Sequence, residues 1–250
     1  MAPLSTRTDP QAQAMWDARV AISIPRHAGA SKDHPMSMHW TGSNTVVLDL
    51  ETARSADDCR HCDSHSIHLG HTYEKIGWKD HAALGLSIGC WYDYEDGGFH
   101  WFDVSTVGAL IEYFLVRNAM LVTFNGRQFD CPLMAAVAAL SEETLATWRH
   151  YVQRESYDIL HEIWQADPAS KYERGLNSLG ILSVVNGYGR KEMDGAKAPQ
   201  LWQAGRYAEV IFYNVSDVIK TRKLFEQICT TGEIVRGDST PLQLPRPLLR

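Results

Sequence analysis

Apolar residues come in two rhythms along this chain, and their order predicts its elements. Residues 45–50 hold Val46, Val47, Leu48 and Leu50, a short buried strand. Residues 84–94 are rich in β-formers. They are followed by the turn Glu95-Asp96-Gly97-Gly98, after which residues 99–104 resume an extended pattern, as in a hairpin. The rhythm then changes. Val107, Leu110, Ile111, Phe114 and Leu115 share one face of a helix that Ser105 or Thr106 can cap and that runs to about Arg117. Residues 120–124 read as a strand, 125–128 as a loop and 130–140 as a helix. A third helical stretch runs from Ser141 to about Gln153. Residues 156–158 end a short strand, and Asp158 caps a helix to about Trp164. Residues 177–186 read as helix, 187–199 as a loop bearing glycine and lysine, and 205–229 as a long amphipathic helix. A strand, a hairpin, then helices alternating with strands argue for a mixed α/β sheet with helices on its faces.

The flanks lack this order. Residues 1–43 read as an irregular arm with a short helix over 11–21, residues 44–229 as one domain, and residues 230–250 as a Pro-rich extended tail. A polar stretch over 54–73 interrupts the domain and reads as an insertion. Hydrophobic content of 44% and charged content of 22% are ordinary for a globular domain. A net charge of −6 does not advertise a nucleic-acid binder, but an acidic site lowers the total and binding depends on local patches. No run of 18 apolar residues occurs, so no membrane span is expected, and no secretory pattern is present. Five cysteines, an odd number, fit reduced thiols in a cytoplasm.

The chemistry gathers on T-V-V-L-D-L-E-T. Side chains alternate across a strand, so Asp49 and Glu51 point to the same side. Paired carboxylates repel and lose solvation. They are cheap only at a strand's end, either as two solvated acids or with a hard divalent cation such as Mg²⁺ between them. Two more segments join them. Asn125 and Phe129-Asp130 follow the fourth strand. In the last helix Tyr213 and Asp217 are spaced i, i+4, one turn apart on one face. Singly, Asp130 also suits an N-cap, Asp217 a solvated acid, Tyr213 a core aromatic, and Asn125 a turn before Gly126.

D-x-E on a first strand, N-x-x-x-F-D after a later one and Y-x-x-x-D on a late helix resemble the three motifs of the DEDD exonuclease superfamily. Tyr213, with Phe212 rather than His before it, resembles the tyrosine subclass (DEDDy), which includes family B polymerase proofreading domains and ribonuclease D. The resemblance covers residues 45–227. It implies a ribonuclease H-like α/β fold and 3′→5′ hydrolysis of phosphodiester bonds, with Asp49, Glu51, Asp130 and Asp217 as ligands of two Mg²⁺ (or Mn²⁺). Tyr213 would position the attacking water, since a phenol of pKa near ~10 is a poor base at neutral pH. Leu50, Thr52, Asn125 and Phe129 would contact substrate. The implied partner is the 3′ end of single-stranded DNA or RNA, DNA favoured, in the cytoplasm of a bacterial or phage-infected cell. The competing expectations are a non-catalytic nucleic-acid-binding module and an endonuclease on the same fold. No polymerase or helicase segment is present, so proofreading in cis is not expected.

Two other features stand outside those motifs. Cys59-x-x-Cys62, followed by His65, His68 and His71, has the character of a structural Zn²⁺ loop, or of a solvated polar loop. Lys171, Arg174, Arg190, Lys191 and Lys197, with Tyr172, Tyr188 and Trp202, suit either a strand-binding groove or an ordinary surface.

Overall fold

The computed structural model describes residues 43–62, 73–173 and 175–247, with Tyr172 in its main chain only. The expected N-terminal arm up to residue 42 and residues 63–72 of the insertion lie outside the described residues. One five-stranded sheet organises the rest. Its strands are β1 (Thr45–Thr52), β2 (Leu86–Asp93), β3 (Gly98–Phe102), β4 (Met120–Thr123) and β5 (Ser156–Asp158), in the order β3-β2-β1-β4-β5. The strands β1, β2 and β3 run antiparallel, and β4 and β5 continue parallel to β1. The pattern of a strand, a hairpin and crossovers predicts such a mixed sheet, and a ribonuclease H-like fold is what the motif resemblance implies.

Strand β1 is central, and its two faces differ. Val46, Leu48 and Leu50 enter the main core with Phe114, Leu133, Met134 and Trp148. Those four come from helices α2 (Val107–Arg117), α3 (Asp130–Val137) and α4 (Glu142–Glu155), while a single turn, α1 (His81–Leu84), precedes β2. The other face carries Asp49 and Glu51. Opposite Glu51 on β2 stands Ile88, which packs with Ala198 and Val210. That face is covered by α7 (Ala198–Gln203) and by the 25-residue α8 (Tyr207–Thr231), which ends on Gly232 at φ 73°. Between β5 and α7 come α5 (Ile159–Ala166) and α6 (Leu179–Val185).

Several expectations are refined. Thr106 is the N-cap of α2, but its hydroxyl pairs with Asp103 rather than with a helix N–H. The loop expected over 187–199 holds a 3₁₀ turn, Gly195–Lys197, and the start of α7. The extended tail is instead a hairpin of β6 (Glu233–Val235) and β7 (Pro241–Gln243), with Ile234 and Leu244 buried. Pro241 is tolerated because it opens a strand of a two-stranded ribbon, where a missing N–H costs little.

Candidate active site

The acidic pair sits where β1 leaves the sheet centre, with a register shift between Glu51 and Thr52. Helix α8 crosses this face and presents Tyr213, Asn214 and Asp217, all buried. Oxygens of Asp49, Glu51 and Asp217 lie within 4.8 Å of one another. Asn214 donates through Nδ2 to Asp49 Oδ2 at 2.7 Å and so fixes that carboxylate. Asp130 stands beside this trio. It is the first residue of α3 rather than its N-cap, and its Oδ1 accepts the Leu50 N–H at 3.2 Å, between the two strand acids. The fourth expected carboxylate is thus tied to the main chain and outside the three-oxygen group.

The electrostatics follow from that crowding. Burial, then the charges of Asp130, Asp217 and Glu51, pushes the Asp49 carboxyl well above the usual range. Burial and Asp217 do the same to Glu51. Burial holds Asp130 up at about 7, against two N–H bonds that favour its charged form. Burial, followed by the nearby Asp217, raises the Tyr213 phenol far above its ordinary value.

Among the described residues one cation, Lys191, pairs with an acid of this cluster. Lys191 Nζ lies 2.5 Å from Asp217 Oδ2 and 2.8 Å from Tyr213 Oη. The lysine comes from the loop before the 3₁₀ turn. Its neighbour Glu192 is clamped to Lys220 Nζ at 2.8 Å and to Ser216 Oγ at 2.6 Å, so two adjacent loop residues are pinned to consecutive turns of α8. Gly180 allows this approach, because a Cβ there would lie 3.3 Å from the Lys191 stem.

The motif loop after β4 is held by Asp158. That side chain accepts N–H groups of Asn125 at 2.9 Å, Arg127 at 2.8 Å and His161 at 3.2 Å, so it caps α5 and shapes the loop together. Asn125 adopts φ 70°, the left-handed turn geometry open to Asn. Phe129 is half-buried against Trp78 and His81. Leu50 faces the opposite side from Asp49 and Glu51 and is in the core, so its side chain is not available to substrate; Thr52 is buried at the strand's end.

Of the expected groove residues, Arg190 and Lys191 reach the site's flank. Tyr188 donates through its hydroxyl to Gln227 and has Lys223 over its ring, and Trp202 packs on Tyr207. Tyr172's side chain and Arg174 lie outside the described residues. Cys59 and Cys62 are buried in a turn whose two carbonyls accept from the Arg54 guanidinium at 2.6 and 2.8 Å, while His65, His68 and His71 lie outside the described residues. Another acidic group, Asp93, Asp96 and His100, differs from the central trio because Arg117 takes both Asp93 oxygens.

Asn214 and Lys191 are the site residues that the three motifs do not flag. Asn214 stands inside Y-N-V-S-D, one residue past the tyrosine, where the strand acids come within reach. Lys191 carries no local signal beyond its charge.

Residues 103–239 match the family described as predicted 3′-5′ exonucleases related to the exonuclease domain of PolB. That is more than half the chain. The chain belongs to this family. The matched range of this PolB-type exonuclease holds Asp130, Tyr213 and Asp217; Asp49 and Glu51 precede it. Among solved structures, the family B DNA polymerase from the hyperthermophilic archaeon Pyrobaculum calidifontis is similar at a TM-score of 0.47 and 13% identity, over 74% of this chain and 24% of that one. The chain therefore spans about a quarter of that polymerase. Among curated proteins none matches the chain. Among the described residues no helix is long and apolar enough to cross a membrane.

Proposed function

We propose that this exonuclease removes nucleotides from the 3′ end of single-stranded nucleic acid, with divalent ions held by Asp49, Glu51 and Asp217 and with Asp130 beside them. DNA is favoured over RNA because the family is defined by its relation to the PolB exonuclease domain. One observation carries the metal reading. Asp217 Oδ1 is buried and among the described residues has no hydrogen-bond partner, in a group of three carboxylates whose oxygens lie within 4.8 Å. A buried anionic oxygen without a donor is costly, and a cation resolves the cost. An all-oxygen donor set suits Mg²⁺ or Mn²⁺.

When bound, such ions supply an acidified water and offset charge on phosphate oxygens. The chain's own residues do the rest. Asn214 holds Asp49 in one orientation. Asp130 fixes the main chain between the strand acids. Tyr213 keeps its proton at neutral pH, since its phenol is raised, so its hydroxyl orients water or phosphate as a hydrogen-bond partner and does not act as the base. Lys191 meets a phosphate oxygen once Asp217 is otherwise engaged. Its ammonium lies 2.8 Å from Tyr213 Oη, which supports that role.

The test is degradation of 3′- and 5′-labelled single-stranded DNA and RNA with Mg²⁺ or Mn²⁺ and with EDTA. The expected result is metal-dependent release of single nucleotides from the 3′ end. Internal fragments would identify an endonuclease, and binding without cleavage a binding module; either overturns the proposal.

A further inference from the structure

A groove of about 310 Å³ is bordered by Gly180, Ile181, Val184, Val185, Arg190 and Lys191, the last of which reaches the carboxylates. Its chemistry is the reverse of the site it adjoins. No acid lines it. Helix α6 exposes Ile181 and Val184 there, at 37% and 44%. Arg190 is exposed, and among the described residues it has no ion pair or hydrogen-bond partner. Lys191 belongs to both places: its stem passes over Gly180 at the groove, and its ammonium reaches Asp217.

We infer that this groove holds the nucleotide next to the one being removed, with its sugar and base on Ile181 and Val184 and its far phosphate on Arg190. This rests on the proposed 3′-end hydrolysis. The assignment follows from counting phosphates. A 3′-terminal nucleotide has one phosphate, the scissile one, which belongs at the carboxylates. Every nucleotide upstream of it brings a further phosphate on its 5′ side, and because Lys191 is shared by the groove and the carboxylates, the first such phosphate, that of the penultimate nucleotide, is the one assigned to Arg190. Apolar contact with an unpaired nucleotide is tolerant of sequence, as an exonuclease requires. The unpartnered guanidinium matches a phosphodiester in charge and in hydrogen-bond geometry.

The experiment pairs an Arg190→Ala chain with an oligonucleotide whose second linkage from the 3′ end is an uncharged methylphosphonate. Affinity is read by fluorescence anisotropy in an Asp49→Ala background, which stops turnover. Arg190→Ala is expected to weaken binding about tenfold and to lower the salt slope by about 0.7, the value for one phosphate contact on a single strand. The methylphosphonate should cost the intact groove a similar factor and cost the Arg190→Ala chain nothing more. Ile181→Ala/Val184→Ala should weaken binding to the normal strand and abolish the penalty for an abasic penultimate nucleotide. Losses from Arg190→Ala and the methylphosphonate that multiply, or an unchanged salt slope, would overturn the inference. Nucleotide release by the wild-type chain, followed in parallel, reports separately on the 3′-end reading.

Discussion

The Lys191 ammonium and the Asp217 carboxylate form an ion pair 2.5 Å long in the acidic cleft, where a metal ion would also find Asp217. A fixed positive charge at this point lowers the cost of gathering Asp49, Glu51 and Asp217, and it competes with any ion that joins them. Lys191→Met is therefore expected to bind Mg²⁺ or Mn²⁺ on the order of tenfold more tightly by calorimetry, since a partly buried charge pair contributes on the order of 1–3 kcal/mol. The same variant should lose at least tenfold in kcat, because the phosphate loses its cation. Weaker metal binding in Lys191→Met would contradict the competition.

The acids also set a pH signature in the metal-free protein. Burial raises Asp130 from the ordinary 3.8 to about 7, and raises Asp49 and Glu51 as well. A folded-state pKa above the unfolded one means that protonation favours the fold. This stabilisation is complete below about pH 4 and is lost as pH rises toward about 7. In EDTA, the Asp49→Asn chain should gain in Tm over wild type as pH rises above the ordinary carboxylate range. Saturating Mg²⁺ should raise the wild-type Tm at neutral pH and move the variant little. Thermal melts across pH in EDTA and in Mg²⁺ check both statements.

Gly195 lies against the tyrosine. A Cβ placed there would be 3.0 Å from Tyr213 Oη. Gly195→Ala should shift the phenol while leaving the sheet intact. Misplacement of a catalytic group costs on the order of tenfold to a hundredfold in rate. The expected outcome is a fall in kcat of that size with a Tm close to wild type, checked by steady-state kinetics and a thermal melt.

Away from the site, Arg117 bridges the end of α2 and the Asp93 carboxylate, and it also donates to Asn44 Oδ1 at 2.8 Å. Both members of the ion pair are nearly buried. Arg117→Ala takes away the charge partner of Asp93 and leaves it the Glu95 N–H at 2.9 Å, at a cost of roughly 3–5 kcal/mol. Adding Asp93→Asn should recover part of this loss in urea unfolding, without a change in Mg²⁺ affinity.

Much of this site is legible in local spacing. Asp49 and Glu51 share a face because strand side chains alternate, and Tyr213 and Asp217 share one because a helix turns in 3.6 residues. The fold follows from β1 lying between a hairpin and two crossovers. What spacing does not carry is contact between distant segments. Lys191 reaches Asp217 only because Gly180 leaves room and because Glu192 is anchored by Lys220, 28 residues on. Asp130 reads as one of four ligands from its motif, and nothing in the spacing shows that the Leu50 N–H, 80 residues earlier, holds its Oδ1. The C-terminal hairpin is hidden by Pro241, which signals a break although it occupies a strand's first position.

The most direct test of the account is the single-turnover rate of 3′-nucleotide release as Mg²⁺ is titrated, for wild type and for Asp49→Ala and Asp217→Ala. The rate is expected to rise with Mg²⁺ to saturation in wild type and to be lower by at least a thousandfold (~4 kcal/mol) in each variant at every Mg²⁺ concentration. Mg²⁺-dependent release that survives both substitutions would place the chemistry elsewhere in the chain and contradict it.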